Sequence, residues 1–253
     1  MKYLILRLDA PLISFGAPAI DRHGVIQPYP ALSMLTGLIG NALGYDHTDS
    51  HKLERMQDRL RYAVREDRIG RQIKDYQTVD LSQSFMRDGA AWTTRGYIEK
   101  RKGGTASTGT HERYRYYWAD GVYTVAMTMV PFDEVPTLDD LEQKLQYPER
   151  PLFIGRKTCL PSSPLLVETQ EREDIMEAIQ SAGYSRRADR HATYKVWWQA
   201  DHTELTQTEK YSITPAVDRR DWINQIHVGE RWIAEGIISA NKNVEGDNDE
   251  STH

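Results

Sequence analysis

Two stretches of the sequence interleave basic and aromatic side chains in a pattern that suits contact with single-stranded nucleic acid. One spans 95–102, Arg-Gly-Tyr-Ile-Glu-Lys-Arg-Lys, and the other spans 113–118, Arg-Tyr-Arg-Tyr-Tyr-Trp. Arginine and lysine pair with phosphates, and aromatic rings stack on unpaired bases at about 1–3 kcal/mol per base. The bases of these stretches that we predict to bind RNA are Arg95, Lys100, Arg101, Arg113 and Arg115.

In a strand, the odd-numbered and even-numbered residues of 113–118 point to opposite faces. The odd face then carries both arginines and Tyr117, and the even face carries Tyr114, Tyr116 and Trp118. The arginine face is the one predicted to meet RNA. The alternative is an ordinary strand whose alternate residues are buried, which would account for part of the aromatic content.

A shorter candidate is Gly155-Arg156-Lys157-Thr158. Glycine permits a tight backbone turn, and two adjacent bases can hold a phosphate against it. We predict Arg156 and Lys157 as RNA-binding residues, with a solvated loop as the equally simple alternative.

A stripe of small residues follows one face of a predicted helix at Ser33, Gly37, Gly40 and Gly44. Glycine inside a helix costs about 1 kcal/mol relative to alanine, so two interior glycines need a reason. One reason is close approach by a partner or an RNA backbone. The other is close packing within the fold, and the sequence leaves both open.

Motifs of known enzyme classes are missing from the sequence: it has no GxxxxGK[ST], GxGxxG, HExxH or GxSxG pattern. His47 and His51 are four residues apart but are expected to be exposed. His111, with Tyr45 or Arg113, could supply acid–base chemistry to a metal-independent ribonuclease. A single histidine among bases is more typical of a phosphate contact, so we predict no catalytic residue, no metal and no cofactor.

Charge is distributed unevenly along the chain. The 253 residues carry a formal net charge of −5, which argues against indiscriminate nucleic-acid binding. Residues 235–253 alone carry −4, whereas 52–74 and 95–116 each carry +4. An acidic protein can therefore present a basic groove to one RNA.

The single cysteine, Cys159, excludes an intramolecular disulfide and makes a cysteine-based zinc site implausible. The sequence shows no apolar run long enough to span a bilayer, and its start does not resemble a signal peptide. We expect a cytoplasmic protein.

The elements that must position these residues follow the order of an α+β fold. The predicted elements are a strand at 3–8, helices at 33–44 and 50–61, strands at 62–66 and 71–79, a hairpin of 114–118 with 122–130 around Asp120-Gly121, a helix capped by Thr137, and a returning strand at 151–154. This order fits a ferredoxin-like βαββαβ domain over residues 1–160. A polar, basic insertion interrupts its middle strands at about 81–113.

The remaining chain is predicted to form a smaller, mostly β C-terminal part over 161–240, with one helix at about 171–182. Residues 241–253 are polar and acidic with almost nothing to bury, so they are predicted to be a disordered tail.

Short pieces of the sequence, in order, also resemble a known family. They are Tyr-Leu-Ile-Leu-Arg-Leu at 3–8, Phe15-Gly16 with Pro18, Tyr29-Pro30 with Ser33, Gly-Leu-Ile-Gly at 37–40, Leu43-Gly44, Tyr-Ala-Val-Arg at 62–65, Asp-Tyr-Gln-Thr-Val at 75–79, Tyr-Thr-Val-Ala at 123–126, Pro-Leu-Phe-Ile-Gly-Arg-Lys-Thr-Cys at 151–159 and Pro164-Leu165. Together they make the chain resemble, over about residues 1–167, the CasD family of repeat-associated mysterious protein (RAMP) subunits of type I-E CRISPR Cascade.

The resemblance implies a RAMP or RRM-like ferredoxin fold whose basic insertion is a protruding thumb. It implies a non-catalytic subunit that holds the 5′ handle of the CRISPR RNA and caps the helical backbone in antiviral defence. The implied neighbours are the backbone subunit CasC and the large subunit CasA, with target DNA bound by the whole complex.

The sequence also departs from the family pattern near the first helix. Leu32 and Gln27 stand where members of the family carry bases. The resemblance therefore implies handle contacts through backbone groups and through Ser33, Thr36 and Gly37.

One alternative function stays open from the sequence. In type I-C systems a related subunit cleaves the precursor CRISPR RNA without metal, using a tyrosine and an adjacent Lys-His pair. This chain has no Lys-His pair, and its nearest substitutes are Tyr45 and His111.

Overall fold

The computed structural model describes most of the chain. The described residues are 1–18, 21–80, 110–200 and 211–240, together with the backbone of 90–92 and 98–100. The predictions for Arg95, Arg101 and the acidic tail lie outside the described residues, and so does most of the predicted thumb. Lys100 lies in a short strand, described by its backbone alone.

A seven-stranded antiparallel sheet forms the centre of the described fold. In order across the sheet its strands are β10 (Leu166–Glu171), β1 (Lys2–Asp9), β9 (Val122–Met129), β4 (Leu60–Arg68), β11 (Thr193–Gln199), β15 (Arg231–Ser239) and β12 (Ser212–Ala216). Every neighbouring pair in this order is antiparallel.

In the described part of the chain, four α-helices cover the two faces of this sheet. They are α1 (Leu32–Ala42), α2 (Ser50–Arg59), α3 (Leu138–Gln146) and α4 (Ile175–Ser181). Strand β1 shows why both faces are apolar: Leu4 and Leu6 enter the core shared with α1, α2 and α3, whereas Ile5 enters a smaller core beneath α4. None of the described helices has the length and apolar character needed to cross a membrane.

Helix α3 follows its sequence prediction closely. Thr137 is the N-cap, its hydroxyl accepts from the backbone of Asp140, and the Asp140 carboxylate accepts from the backbone of Thr137. Leu138, Leu141 and Leu145 repeat at helical spacing and form a buried stripe. A complete capping box and a regular apolar period are both local signals, so sequence and structure agree here.

The start of α1 differs from its prediction. The helix begins at Leu32, and Ala31 occupies the N-cap position without a side-chain bond. Asp218 caps the helix from the C-terminal part instead. Its carboxylate accepts from the Leu32 N–H at 2.9 Å, and its backbone carbonyl accepts from the Ser33 N–H at 3.1 Å.

The predicted hairpin around Asp120-Gly121 is wrong. Strand β8 (Thr110–Ala119) pairs with β5 (Arg71–Asp80), while β9 pairs with β1 and β4. The strand pair β4–β9 therefore continues as the pair β5–β8 after a bend. A Cβ on Gly70 would lie 3.2 Å from the Gly121 Cα, so two glycines allow the strands to touch where the ribbon bends.

The bend carries β5 and β8 into a second sheet. Strand β8 also pairs with β2 (Leu12–Ile13) and, in parallel, with β3 (His23–Gly24). Short strands β6 (Ala90–Trp92) and β7 (Ile98–Lys100) pair with each other between β5 and β8 in sequence. The insertion thus leaves from the far end of the ribbon, away from the main sheet.

The returning strand also lies elsewhere than predicted. Residues 151–154 are irregular, and β10 is the strand that pairs with β1. Prolines at 151, 161 and 164 explain the difference, because proline cannot donate to a strand ladder.

The later part of the chain is mostly β, with α4 as the only α-helix within the described residues 161–200 and 211–240. Strands β11, β12 and β15 continue the first sheet, and a small hairpin pairs β13 (Arg220–Asp221) with β14 (Ile226–His227). The proposed division at residue 160 stays a prediction.

Candidate nucleic-acid interface

A cavity of about 430 Å³ lies where four segments meet. Its walls come from α1, the loop after β2, the 153–156 segment and the β13–β14 hairpin. The residues that line it are Ser14, Gly16, Ala17, Ser33, Met34, Gly37, Leu38, Asn41, His47, Phe153, Gly155, Arg156, Arg220, Trp222, Gln225 and His227. Three predicted RNA-binding residues, Ser33, Gly37 and Arg156, therefore share one cavity despite their separation in sequence.

The Gly155 turn is built as the sequence suggested. Gly155 has φ +90°, and a Cβ there would lie 1.8 Å from the Ser14 carbonyl oxygen. The turn is closed by backbone bonds from Ile154 N–H to the Cys159 carbonyl and from Cys159 N–H to the Arg156 carbonyl, each 2.8 Å. Only glycine fits this position, because both the φ angle and the neighbouring backbone exclude a side chain.

Arg156 connects the cavity to the second sheet. Its guanidinium donates to the carbonyl oxygens of Tyr116 and Gly24, both at 3.1 Å, and lies 4.8 Å from the centre of the Tyr117 ring. It forms no ion pair with a described carboxylate, and neither does the exposed Lys157 that follows it. Arg156 therefore offers positive charge held in place by backbone acceptors, and Lys157 adds a second, exposed charge beside it.

The two arginines predicted on β8 lie on the strand face shared with Tyr117. Arg113 is exposed opposite Gln77, and Arg115 is half-buried beside Gly24. Neither forms an ion pair with any carboxylate in the described ranges. Tyr117, however, is buried in the core at 6% exposure, so only the arginines of this face are available to a ligand.

The opposite face of β8 is an aromatic row rather than a buried side. The Tyr114 ring stacks on His23 at 4.8 Å and on Tyr76 at 5.2 Å between centroids. Arg22 and Lys74 lie 5.5 and 5.2 Å from the centre of the Tyr114 ring. His23 and Tyr114 are half-buried, whereas Tyr76 is exposed. Strand alternation therefore predicted which residues share a face but not what packs against them.

Thr36 needs a correction. It is fully buried, and its hydroxyl donates to the Leu32 carbonyl at 2.8 Å within α1. A fully buried threonine whose hydroxyl donates within its own helix is not accessible to an RNA, and Thr36 does not line the cavity. Ser33, one turn earlier, is 9% exposed and does reach the cavity.

The two interior glycines of α1 have different surroundings, and Gly40 shows the close packing that was one of the two explanations left open by the sequence. A Cβ on Gly40 would lie 2.5 Å from Leu53 Cδ2, so Gly40 allows α1 and α2 to pack closely. A Cβ on Gly37 would meet only the Trp222 ring, at 3.6 Å, in the wall of the cavity.

These contacts predict different outcomes for the same substitution. Gly40→Leu is expected to lower the free energy of unfolding by about 1–3 kcal/mol, because the new side chain overpacks the α1–α2 contact. Gly37→Leu should change it by less than about 1 kcal/mol, because the side chain can extend into the cavity. Chemical denaturation of both variants measures the difference, and equal losses would contradict the assignment.

Several cavity residues escaped sequence reasoning. Arg220 and Trp222 come from a segment with only a weak family resemblance, and no local pattern marks them. His47 is exposed as predicted, yet together with His227 it lines the cavity. The adjacent bases Arg219 and Arg220, followed by Trp222, form a basic-aromatic pattern like that of the predicted RNA-binding stretches.

The two substitutes for catalytic residues lie in separate parts of the fold. Tyr45 follows α1, its ring lies 5.1 Å from the Lys52 ammonium, and burial raises the pKa of its hydroxyl. His111 lies near the start of β8, opposite Val79. Across the described ranges, no three His, Cys, Asp or Glu side chains are grouped as metal ligands.

The chain is similar to known CRISPR-associated proteins. A family model described as "CRISPR-associated protein (Cas_Cas5)" matches residues 3–234. The chain is 29% identical over 178 residues to the "CRISPR system Cascade subunit CasD" of Escherichia coli (strain K12), which covers 70% of this chain and 75% of that protein.

Two solved structures share the fold. One, titled "CRISPR RNA-guided surveillance complex", has a TM-score of 0.66 at 22% identity, covering 96% of this chain and 92% of the other. The second, titled "Crystal structure of Cas protein", has a TM-score of 0.58 at 20% identity, with coverages of 94% and 95%. With a family model matched over nearly the whole described length, the chain belongs to the Cas5 family of CRISPR-associated proteins.

Proposed function

We propose that this chain is a non-catalytic, CRISPR RNA-binding subunit of a type I-E Cascade complex that acts in antiviral defence. In this proposal it holds the 5′ handle of the guide RNA, caps the backbone formed by CasC and contacts CasA. The observation that carries it is the cavity where Ser33, Gly37 and Arg156 meet. The likeness to a Cascade subunit supports the assembly in which that cavity would act.

Unpaired positive charge supports RNA as the ligand. Arg113, Arg115 and Lys157 lie on the ribbon or beside the cavity without a carboxylate partner in the described chain. Bases on the α2 surface differ, since Lys52 pairs with Asp49 at 2.8 Å. A cation without a counter-ion is free to neutralise a phosphate, whereas a paired cation must first give up its partner.

A ferredoxin-like unit is the finer fold we propose. Its four strands would be β1, β4, β9 and β10, which lie in the order β10-β1-β9-β4 with every pair antiparallel. Helices α1 and α2 separate β1 from β4, and α3 separates β9 from β10. This is the βαββαβ sequence with its first and third strands central.

The ribbon of β5 and β8 is proposed as the base of the thumb. It continues the middle strands of that unit beyond the bend at Gly70, and the insertion follows from its end. In a capping subunit, such an arm would reach the adjacent CasC subunit.

The salt dependence of RNA binding tests the proposal. We expect the variant Arg113→Ala/Arg115→Ala/Lys157→Ala to bind handle-containing guide RNA more weakly than the parent protein. Each lost phosphate contact on a single strand should make the negative slope of log affinity against log salt shallower by about 0.7, so three lost contacts should make it shallower by about 2. Fluorescence anisotropy with labelled RNA at four salt concentrations gives the slope.

A matched triple variant supplies the control. Lys52→Ala/Arg55→Ala/Lys144→Ala also removes three surface bases, each of which pairs with a carboxylate in the fold. Its salt slope should stay close to that of the parent. Equal slopes for the two triple variants would contradict the proposed site.

The same preparation tests the enzymatic alternative. Incubation with precursor CRISPR RNA in the absence of metal is expected to leave the RNA intact. Specific cleavage that disappears in His111→Ala would contradict the non-catalytic proposal.

A further inference from the structure

The β13–β14 hairpin places Arg220, a cation without a counter-ion in the described chain, at the cavity. Arg220 is half-buried, its Nη2 donates to Gln225 Oε1 at 2.6 Å, and its Cζ lies 5.3 Å from the centre of the Trp222 ring. No ion pair joins it to a carboxylate of the described chain. Burial lowers the pKa of its guanidinium, as expected for a desolvated charge without a counter-ion.

Two unsatisfied N–H groups lie on the same pair of residues. Trp222 is 7% exposed, and neither its indole Nε1 nor the Nε of Arg220 has a hydrogen-bond partner. In the described part of the chain only four buried side-chain atoms share this property, and two of them belong to residues that line this cavity. A buried donor without an acceptor is costly, and native proteins normally avoid it or use it.

The hairpin is held rigidly enough to position these donors. Gln57, 1% exposed, accepts from the Arg220 backbone N–H at 3.1 Å and donates to the Arg220 carbonyl at 2.9 Å. The turn beyond is closed by Asp221, whose carboxylate accepts from the backbone N–H groups of Ile223 and Asn224. The pair therefore has a fixed backbone before any ligand arrives.

We propose that Arg220 and Trp222 bind a phosphate of the guide RNA, with the guanidinium neutralising its charge and the indole N–H donating to one of its oxygens. This inference rests on the proposed function, because the RNA enters the cavity already assigned to it. It adds the C-terminal part of the chain to an interface that the sequence placed wholly within residues 33–157. A phosphate suits the pair because both groups only donate, and a phosphate oxygen only accepts.

Conservative variants separate a binding role from a structural one. Trp222→Phe keeps the ring and removes the unsatisfied N–H, and Arg220→Met keeps an unbranched side chain and removes the charge. Each variant should bind handle RNA about tenfold more weakly, the loss expected for one charge-assisted hydrogen bond. Trp222→Phe should also melt at the same temperature as the parent or higher, because a buried N–H without a partner has been removed. Arg220→Met loses the bond from Nη2 to Gln225 together with the unsatisfied Nε–H, so its melting temperature should stay close to that of the parent.

Satisfied neighbours provide the controls. Trp197→Phe removes an indole N–H that donates to Glu235 at 2.8 Å, and Arg219→Met removes a guanidinium that pairs with Asp58 at 2.5 Å. These variants should melt at a lower temperature and keep the parent RNA affinity.

The indole N–H resonance of Trp222, assigned by its loss in Trp222→Phe, distinguishes the possible failures. It should shift when handle RNA is added to the full chain, and also when inorganic phosphate is added. If the parent binds RNA and both variants bind it equally well, the inference is overturned and the proposed function stands. If the parent binds no RNA, the proposed function fails. In that case a saturable shift of the indole resonance with inorganic phosphate would still support an anion site at Arg220 and Trp222. The absence of that shift would overturn the anion site.

Discussion

Asp67→Ala is expected to lower the free energy of unfolding by about 3–5 kcal/mol, one of the largest effects of any single substitution in this chain. Asp67 and Arg65 are fully buried, and Arg7 is 6% exposed. The Asp67 carboxylate accepts from Arg7 at 2.9 Å, from Arg65 at 2.5 Å and from the Thr124 hydroxyl at 2.5 Å. Its removal leaves two buried guanidinium groups without an anion.

The network explains how two cations can share one carboxylate. Arg65 also donates to the carbonyls of Ile179 and Ala182 at the end of α4, at 2.8 and 3.0 Å, and stacks 4.1 Å from the centre of the Tyr184 ring. The partial negative charge at a helix C-terminus favours a cation there. Arg65 therefore keeps some stabilisation from α4, whereas Arg7 depends more on Asp67.

Two further variants test how much stability depends on the buried charges of this network. Arg7→Met should cost less than Asp67→Ala, because it leaves one cation with one anion. Asp139→Ala removes a carboxylate that is 82% exposed and paired with Lys2, and should change stability by at most about 1 kcal/mol. Urea unfolding gives the loss of stability for each of the three variants. A loss from Asp67→Ala no larger than that from Asp139→Ala would show that the buried network contributes little to stability.

The sequence predicted those parts of the fold whose signals are local. The capping box of α3 lies within four residues, and the leucines of α1 and α3 repeat at helical spacing, so the helices could be placed to within a few residues. The alternation of β8 likewise predicted which of its side chains share a face. In each case the residues that determine the structure are neighbours in the chain.

Features set by distant partners could not be predicted in this way. Asp120-Gly121 carries the same local signal whether it closes a hairpin or bends a ribbon, and only the pairing of β8 with β5 decides between them. The cap of α1 comes from Asp218, 186 residues from Leu32. No window of sequence around Ser33 contains that information.

The candidate site likewise combines features that local sequence predicts with features that depend on distant contacts. Glycine beside two bases predicted the turn at Gly155. Thr36 is excluded as a binding residue because it is buried, and that burial depends on how α1 packs in the fold. Arg220 and Trp222 join the site because the later strands extend the first sheet and bring β13–β14 against α1. A contact between residues 37 and 222 depends on the whole topology rather than on any motif.

Gly155→Ala tests whether the turn that holds Arg156 is as constrained as its geometry indicates. Its methyl group would lie 1.8 Å from the Ser14 carbonyl oxygen and 2.8 Å from the carbonyl carbon, and the left-handed backbone alone costs an L-residue about 1–3 kcal/mol. Because Ser14 N–H also bonds to the Ile154 carbonyl at 3.2 Å, the turn cannot move aside without losing that contact.

We therefore expect Gly155→Ala to lose about 2–4 kcal/mol of stability, the sum of the backbone strain and the broken contact, and to bind handle RNA more weakly than the parent at a temperature where both are folded. Gly37→Ala is the matched control on the opposite wall of the cavity. Its methyl group meets the Trp222 ring at an ordinary 3.6 Å, and alanine favours the helix by about 1 kcal/mol. Thermal melting and anisotropy titration of the two variants measure both effects. A Gly155→Ala protein as stable as Gly37→Ala would mean that the turn yields easily, and Arg156 would then have no fixed position from which to hold a phosphate.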